Sequence, residues 1–321
     1  MKSSFICKRL RNPFSDPIVF VRFTREKHAI VFDLGDITSF TTKEILSICY
    51  SLVTHMHIDH FIGFDYLIRY NLRRDKALSV FGPPGIINAV EGKLRGYTWN
   101  LIRDYPLKIE VFEVVDTIRY HTSFYAGEGF RRIDREYKTV EKAIYAGDNF
   151  VIEAQEFNHQ IPVLGYSLIE SIHLNINKAL LVEMELEVGP WLKELKTAIR
   201  LGAYDKIFTF ENRAYTVDEL RDLVIITKGE KITYITDIAS EDKNIEKAIQ
   251  FANGADILYI EAYFMEKDKD RALQRNHITA RQAGIIAREA GAKRMEIIHI
   301  SPKYSMMPDK VIEEAMDEFA K

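Results

Sequence analysis

The chain has 321 residues, of which 47% are hydrophobic and 28% are charged, a composition typical of a globular protein. Its formal net charge of -3 excludes a global basic field that would attract nucleic acid, so any such binding must rely on local patches. Two cysteines, Cys7 and Cys49, are too few for a disulfide framework, and a reduced, cytoplasmic setting is predicted.

Membrane association is not expected from the sequence. Near the N-terminus, residues 5–7 form the longest apolar segment, which is shorter than the apolar region of a signal peptide. No apolar run approaches the length that a membrane helix requires.

Apolar segments and helical patterns alternate along the first half. Apolar segments predict strands at residues 18–23, 29–32, 48–54, 78–81, 108–114 and 150–157. Apolar residues at helical spacing predict helices at residues 61–72 and 86–94.

Apolar segments and helical patterns also alternate along the second half. It predicts strands at residues 231–236, 256–260 and 294–298, and helices at 244–251, 279–290 and 309–320. Thr279 and Gln282 fit a capping box, and Gly291 suits the end of the same helix. This mixture predicts an α/β fold with packed sheets and helices outside. A single domain over residues 1–321 is the simplest organisation, and residues 173–223 could form an insertion.

Residues 54–60 read Thr-His-Met-His-Ile-Asp-His and directly follow a predicted strand. A strand delivers its last side chains to one edge of a sheet, and a tight turn can then aim His55, His57, Asp59 and His60 at one point. Neutral imidazole and carboxylate together suit zinc and similar divalent ions. Four unrelated polar residues on a turn are the less favoured interpretation.

Three more candidate ligands follow predicted strands elsewhere, at His159, Asp237 and His299. Each has an ordinary alternative when taken singly. A lone histidine such as His299 is more often a hydrogen-bonded core residue, and Asp237 could cap the following helix. Together they would complete the shell that the heptapeptide leaves open.

These motifs, in their order along the chain, resemble those of metallo-β-lactamase-fold hydrolases, and the downstream ones are similar to the ribonuclease Z branch. The resemblance spans most of residues 29–305. Besides the heptapeptide it rests on the segments Phe32-Asp33-Leu34-Gly35, Phe81-Gly82-Pro83-Pro84-Gly85, His159 with Gly165-Tyr166, Glu261-Ala262-Tyr263-Phe264, His277-Ile278-Thr279 and His299-Ile300-Ser301-Pro302-Lys303-Tyr304.

The resemblance implies a four-layer αββα sandwich with two Zn²⁺, with Mn²⁺ or Fe as alternatives. By it, one ion is bound by His55, His57 and His159, the other is bound by Asp59, His60 and His299, and Asp237 bridges the two. Such a pair of ions can share a hydroxide that attacks a phosphodiester.

Two residues receive catalytic roles from the same resemblance. Asp59 would orient the hydroxide, and His277 would act as the general acid for the departing 3′ oxygen. Without the resemblance, His277 is a surface histidine that precedes a helix. The implied function is a zinc-dependent phosphodiesterase, a ribonuclease Z-like endoribonuclease that processes tRNA 3′ ends. A homodimer is also suggested.

The substrate stays open between RNA and a small phosphodiester such as a cyclic nucleotide, with an ester or lactone as a further alternative. Ribonuclease Z often has a tRNA-gripping arm with Gly and Pro at its tip, but residues 167–188 here contain neither. A metal-stabilised binding module without turnover is the alternative from another class, and the intact ligand set argues against it.

Overall fold

The computed structural model describes residues 5–9, 12–24, 28–210 and 213–321. The chain forms two compact units, the larger comprising Met1–Ile169 with Glu230–Lys321 and the smaller comprising Glu170–Gly229. The smaller unit overlaps the predicted insertion at residues 173–223. The single domain over the whole chain stays a prediction.

Nine strands of the described chain form the first sheet of the larger unit. They are β1 Phe5–Arg9, β2 Val19–Phe23, β3 Ala29–Phe32, β4 Ile48–Leu52, β5 Ala77–Gly82, β6 Lys108–Val115, β7 Ile118–Tyr125, β8 Arg132–Asp134 and β9 Lys138–Thr139. Strands β1 to β8 lie in sequence order, and β9 pairs with β7. Strands β3 to β6 run parallel, so their carboxyl ends lie at the same edge.

The remaining strands form a second large sheet and two two-stranded sheets. They are β10 Ala143–Ala146, β11 Phe150–Asn158, β12 Pro162–Glu170, β13 His173–Ile176, β14 Ile207–Phe210, β15 Arg213–Thr216, β16 Val224–Thr227, β17 Lys231–Ile235, β18 Ile257–Glu261 and β19 Met295–Ile298. The two-stranded sheets are β13–β16 and β14–β15. The second large sheet has the order β10-β11-β12-β17-β18-β19. Its last three strands run parallel.

Each of the five predicted helices has a counterpart among the described helices. The described helices are α1 Thr42–Ser47, α2 Ile58–Phe61, α3 Phe64–Asn71, α4 Ile86–Arg95, α5 Lys178–Glu183, α6 Trp191–Arg200, α7 Asp242–Ala252, α8 Lys269–Arg275, α9 Ala280–Glu289 and α10 Pro308–Phe319. Of these, α1, α5, α6 and α8 were not predicted. The predicted capping box of α9 is confirmed, with Thr279 and Gln282 bonded reciprocally. Among the described helices, none has the length and apolar character needed to cross a bilayer.

Buried apolar side chains of the larger unit form three cores, which define its layers. In the core between the two sheets, the rings of Phe32 and Tyr234 stack with centroids 5.2 Å apart. Leu67 of α3 packs in the core on the outer face of the first sheet, and Ile286 of α9 in the core outside the second. The layers are therefore helix, sheet, sheet and helix, and the predicted αββα sandwich is confirmed.

The smaller unit has its own apolar core. Helices α5 and α6 accompany the pairs β13–β16 and β14–β15. The side chains of Leu195, Leu220 and Leu223 are fully buried in it.

Two predicted elements near the heptapeptide end differently in the structure. The strand predicted at residues 48–54 ends at Leu52, and the helix predicted at 61–72 is two helices, α2 and α3. Helix α2 starts directly after His57, which is its N-cap with φ -62° and ψ 152°. Asp59 and His60 therefore lie on a helical turn rather than on a simple loop.

Candidate metal centre

The heptapeptide places its polar side chains at the carboxyl end of β4. The imidazoles of His55 and His60 are fully buried, whereas His57 is exposed and Asp59 is partly exposed. Two of the four side chains thus point into the protein, and two face the solvent side of the same site.

Residues at the ends of other strands reach this site through unusual backbone conformations. Asp33 follows β3, Asp237 lies just beyond β17 and His299 follows β19, with φ angles of 57°, 51° and 52°. The left-handed region costs free energy for residues other than glycine. Non-glycine residues in this region cluster at functional sites, where the surrounding structure maintains the strain.

Asp237 is the centre of the arrangement. Its Oδ2 lies 3.2 Å from Nε2 of His55 and 3.1 Å from Nε2 of His60, and its Oδ1 lies 2.6 Å from Nδ1 of His299. The side chain is almost completely buried, so three imidazoles surround one buried carboxylate.

The seven residues predicted as metal ligands all come together. Their candidate ligand atoms form three groups whose members lie within 4.8 Å of one another: His55, His60 and Asp237; His57, His159 and Asp237; and Asp59, His60 and His299. The last group is the set predicted for the second ion. Asp237 belongs to the other two groups, and within the described residues a fourth group joins it to Glu261, His277 and His299.

The donor atoms fit divalent metal ions. The buried Nε2 atoms of His55 and His60 make no hydrogen bond, although Asp237 lies within ion-pair distance of both. An unsatisfied buried polar atom costs free energy, so a further partner is required there. Imidazole nitrogens and carboxylate oxygens are the usual ligands of zinc in hydrolytic sites.

The pKa values of the histidines in the cluster are shifted in both directions. Burial lowers the pKa of His55, His57 and His159, which favours the neutral form that binds metals. Burial opposes protonation of His60 too, but the nearby carboxylates of Asp237 and Asp33 raise its pKa well above the ordinary value.

The pKa values of His299 and Asp59 are shifted by charged groups of the same cluster. His299 has a pKa of about 10, because the attraction of Asp237 overcomes the effect of burial. Burial would raise the pKa of Asp59, but His299 and His60, whose Nε2 atoms lie 3.4 and 3.5 Å from its Oδ2, hold that pKa well below its usual range.

Asp33 contacts the candidate site, although the sequence assigned it no role. Its buried carboxylate accepts a hydrogen bond from Nδ1 of His60 at 2.8 Å and from the Tyr234 hydroxyl at 2.9 Å. It also accepts one from the backbone N–H of Thr54 at 2.7 Å. Because a carboxylate only accepts, Nδ1 of His60 carries the proton and Nε2 is left to face Asp237. The order Phe32-Asp33-Leu34-Gly35 was the available signal.

His277 is held by a second residue without an assigned role, Glu261. The imidazole Nδ1 donates to Oε2 of Glu261 at 2.7 Å, and Oε1 of the same carboxylate accepts from the backbone N–H of Ile238 at 2.8 Å. The ring of Tyr263 stacks on His277 with an interplanar angle of 8° and centroids 3.9 Å apart. The orientation of His277 is therefore fixed from two sides.

His159 is fixed in a similar way by the residue that precedes His277. Its Nδ1 donates to the backbone carbonyl of Asn276 at 2.7 Å, which leaves Nε2 as the nitrogen with the free lone pair. Such hydrogen bonds to the other ring nitrogen orient histidines that bind metals.

A cavity of about 410 Å³ opens over these residues. Its wall contains residues that the sequence had predicted, among them His57, Asp59 and His277, and also two that it had not, Arg271 and Arg275. Both arginines are exposed and lie on α8. The site thus combines buried metal-binding groups with a cationic rim.

Known proteins support this interpretation of the sequence. The chain is 29% identical to ribonuclease Z of Deinococcus radiodurans over 280 residues, which cover 86% of this chain and 83% of that one. It is 29% identical to ribonuclease Z of Nanoarchaeum equitans over 296 residues, which cover 89% and 78%. No family model matches the chain.

Solved structures confirm the fold. The short form of human tRNase Z superposes with a TM-score of 0.53 at 17% identity, covering 89% of this chain and 86% of that one. The metallo-beta-lactamase fold protein YhfI from Bacillus subtilis gives 0.54 at 13% identity, covering 96% and 86%. The chain is a metallo-β-lactamase-fold protein whose sequence resembles ribonuclease Z over most of its length.

Proposed function

We propose that this chain is a metal-dependent endoribonuclease that cleaves precursor tRNA at its 3′ end. The similarity to ribonuclease Z supports the reaction, and it extends over most of both sequences. The single observation that carries the proposal is the position of Asp237, whose carboxylate lies within 3.2 Å of ring nitrogens of His55, His60 and His299. A carboxylate in this position is suited to bridge two ions.

The proposed ligand set follows the resemblance to ribonuclease Z. His55, His57 and His159 would hold one ion and Asp59, His60 and His299 the other, with Asp237 shared. The group of His57, His159 and Asp237 and the group of Asp59, His60 and His299 support this set, whereas His55 lies in a group with His60 and Asp237. Zinc is the proposed metal, with Mn²⁺ or Fe as alternatives, because imidazole and carboxylate suit all three. Ions held there would activate a water molecule and offset the negative charge of a phosphate.

Protein groups supply the remaining chemistry. Asp59 has a pKa well below its usual range, so it stays ionised and can accept a hydrogen bond from the attacking water. His277 donates through Nδ1 to Glu261, which leaves Nε2 to carry the proton for the departing 3′ oxygen. Glu261 would balance the positive charge of the doubly protonated ring.

Substrate entry is supported by the cavity over the site. Its lining is mainly polar, and its volume of about 410 Å³ is in the range of pockets that bind small ligands. A small phosphodiester, ester or lactone is the alternative substrate, and it has no better support among the related proteins.

Two further predictions belong to the proposal. A homodimer is expected from the resemblance to the ribonuclease Z branch. A cytoplasmic setting is expected because Cys7 and Cys49 are both free thiols.

The decisive experiment compares three substrates on zinc-loaded protein: a precursor tRNA with a 3′ trailer, a cyclic nucleotide and bis-p-nitrophenyl phosphate. We expect cleavage of the precursor next to the acceptor stem and about two zinc equivalents per chain by elemental analysis. The variant His57→Ala should lose the activity. The matched control is His28→Ala, which removes an exposed histidine elsewhere in the fold.

The outcomes separate the hypotheses. Turnover of the small diesters with an uncut precursor would favour the small-substrate alternative. Folded protein that binds no metal, or equal activity in His57→Ala and His28→Ala, would reject the proposed centre.

A further inference from the structure

Arg271 and Arg275 form a pair on one face of α8, because residues four apart in a helix are neighbours. Both contribute to the wall of the cavity that also contains His277 and Asp59. Their two positive charges therefore lie beside the proposed reaction centre, although neither belongs to the metal cluster.

Among the residues that the structure describes, neither guanidinium has an acidic partner. Within the described ranges, Arg271 and Arg275 form no ion pair, whereas Arg288 and Arg132 each pair with carboxylates. The guanidinium of Arg271 lies 5.8 Å from the ring centroid of Phe264, a distance at which the ring face attracts a cation. The donors of both side chains remain available to a ligand.

Contacts at both ends hold helix α8 beside the site. At its start, the Asp268 carboxylate accepts a hydrogen bond from Lys303 Nζ at 2.6 Å, and the side chain of Ala272 is fully buried. At its end, Asn276 is left-handed with φ 57°, and its carbonyl accepts from His159. A hydrogen bond therefore connects the end of α8 to His159. Arg275 lies two residues before His277.

The position beside His277 determines which part of a substrate would meet the arginines. His277 is the proposed donor to the departing 3′ oxygen, which belongs to the nucleotide on the 5′ side of the cleaved bond. A group next to His277 is therefore placed near the backbone of that nucleotide and its 5′ phosphate. Guanidinium binds phosphate through two parallel hydrogen bonds.

We propose that Arg271 and Arg275 bind the 5′ phosphate of the nucleotide that carries the departing 3′ oxygen. This contact would select a polynucleotide over a small diester. This inference rests on the proposed function, because a cyclic nucleotide or a simple diester has no such phosphate. It accounts for the presence of Arg271 and Arg275 in the cavity wall, although neither is among the seven candidate metal ligands.

The first test is equilibrium binding of a short, fluorescent single-stranded RNA to metal-free protein over a range of salt concentrations. Arg271→Ala and Arg275→Ala should each weaken binding roughly tenfold and reduce the slope of log affinity against log salt by about 0.7. The matched control is Lys269→Ala, which removes one exposed charge from the same helix outside the cavity wall. Equal salt slopes for all three variants would overturn the inference.

The second test removes the phosphate charge instead of the protein charge. A neutral methylphosphonate at the 5′ phosphate of the cleaved nucleotide should weaken binding to the unmodified protein about as much as Arg275→Ala does. In Arg275→Ala the same modification should have a much smaller effect, since the two changes remove one interaction. Additive losses would overturn the inference. A lower melting temperature in Arg275→Ala with an unchanged salt slope would show that the residue only stabilises the helix end.

Steady-state cleavage separates this inference from the proposed function. We expect the arginine variants to raise KM for the precursor tRNA about tenfold more than KM for bis-p-nitrophenyl phosphate. Precursor cleavage with equal losses on both substrates would overturn the inference alone. If the unsubstituted protein turns over the small diester but no RNA, the proposed function fails, and the inference fails with it.

Discussion

The carboxylate of Asp33 accepts a hydrogen bond from Nδ1 of His60 over 2.8 Å, although the two residues are 27 positions apart in the chain. Both side chains are fully buried. The bond fixes the imidazole ring with Nε2 toward Asp237. A carboxylate that hydrogen-bonds the second nitrogen of a ligating histidine increases its basicity and its affinity for the metal.

Asp33→Asn should therefore weaken metal binding. The amide keeps the shape but removes the negative charge beside His60, so we expect zinc affinity to fall about 10- to 100-fold. Competition with a chromophoric chelator measures this directly. Asp75→Asn, at an exposed aspartate, is the matched control. Equal zinc affinities in the two variants would contradict the proposed role of Asp33.

His277→Ala tests whether this histidine is a proton donor or a metal ligand. As a general acid its loss should reduce kcat by about 10²- to 10⁴-fold while zinc content is retained. Glu261→Gln should show a smaller reduction, because the ring loses only its orienting partner. A drop in zinc content in His277→Ala would instead support the alternative cluster of Asp237, Glu261, His277 and His299.

Metal loading should release protons. In the metal-free protein near pH 7, His60 and His299 are protonated, since their pKa values are raised, that of His299 to about 10. Ligands must be deprotonated to bind, so loading should release about two protons from these rings. Calorimetric titrations in buffers of different ionisation enthalpy measure this number.

The same pKa values determine how proton release on metal loading changes with pH. A raised pKa means that proton release is large at neutral pH and is lost as the pH rises through about 10, above which His299 is already neutral. The histidines whose pKa is lowered by burial, such as His55, should contribute less at pH 7. A binding enthalpy that is identical in all buffers would refute this charge distribution.

Gly284 should not tolerate a side chain. A Cβ there would lie 2.7 Å from Cβ of Glu318 and even closer to the carbonyl oxygen of Ala315, where α9 packs on α10. Gly284→Ala should cost about 1–3 kcal/mol of unfolding free energy through overpacking. Urea denaturation measures it.

A matched helical glycine predicts the opposite sign. Gly92 of α4 is exposed, and a Cβ there would have no neighbour within 4 Å. Gly92→Ala should stabilise the protein by about 0.5–1 kcal/mol, because alanine loses less backbone entropy in a helix. Destabilisation by both substitutions would indicate that helix packing is not the cause.

Local sequence patterns predicted much of the secondary structure. The strands that became β2 and β3 were visible as two apolar runs, and the ends of α9 were visible in Thr279, Gln282 and Gly291. These signals are local, since they depend on side-chain spacing and capping within one segment. Strands β7 and β12 were not predicted, because their burial depends on neighbouring strands.

The seven candidate ligands were likewise identifiable from residue type and position after apolar segments. Their supporting groups were not. Glu261 could be recognised as a partner of His277 only once β18 and the start of α9 were placed side by side, with the two residues 16 positions apart. Arg271 and Arg275 were indistinguishable from ordinary surface charges until the cavity was seen.

The sequence by itself thus identified the candidate ligands, since three histidines and an aspartate lie within residues 55–60 directly after an apolar segment. Only the tertiary structure decided their geometry. Parallel strands bring Asp33 to one edge of the first sheet and bring Asp237 and His299 to one edge of the second, and all three residues have left-handed backbones. Hydrogen bonds between residues far apart in the chain then select the ring nitrogen that faces the site. Such contacts depend on distances that no local pattern encodes.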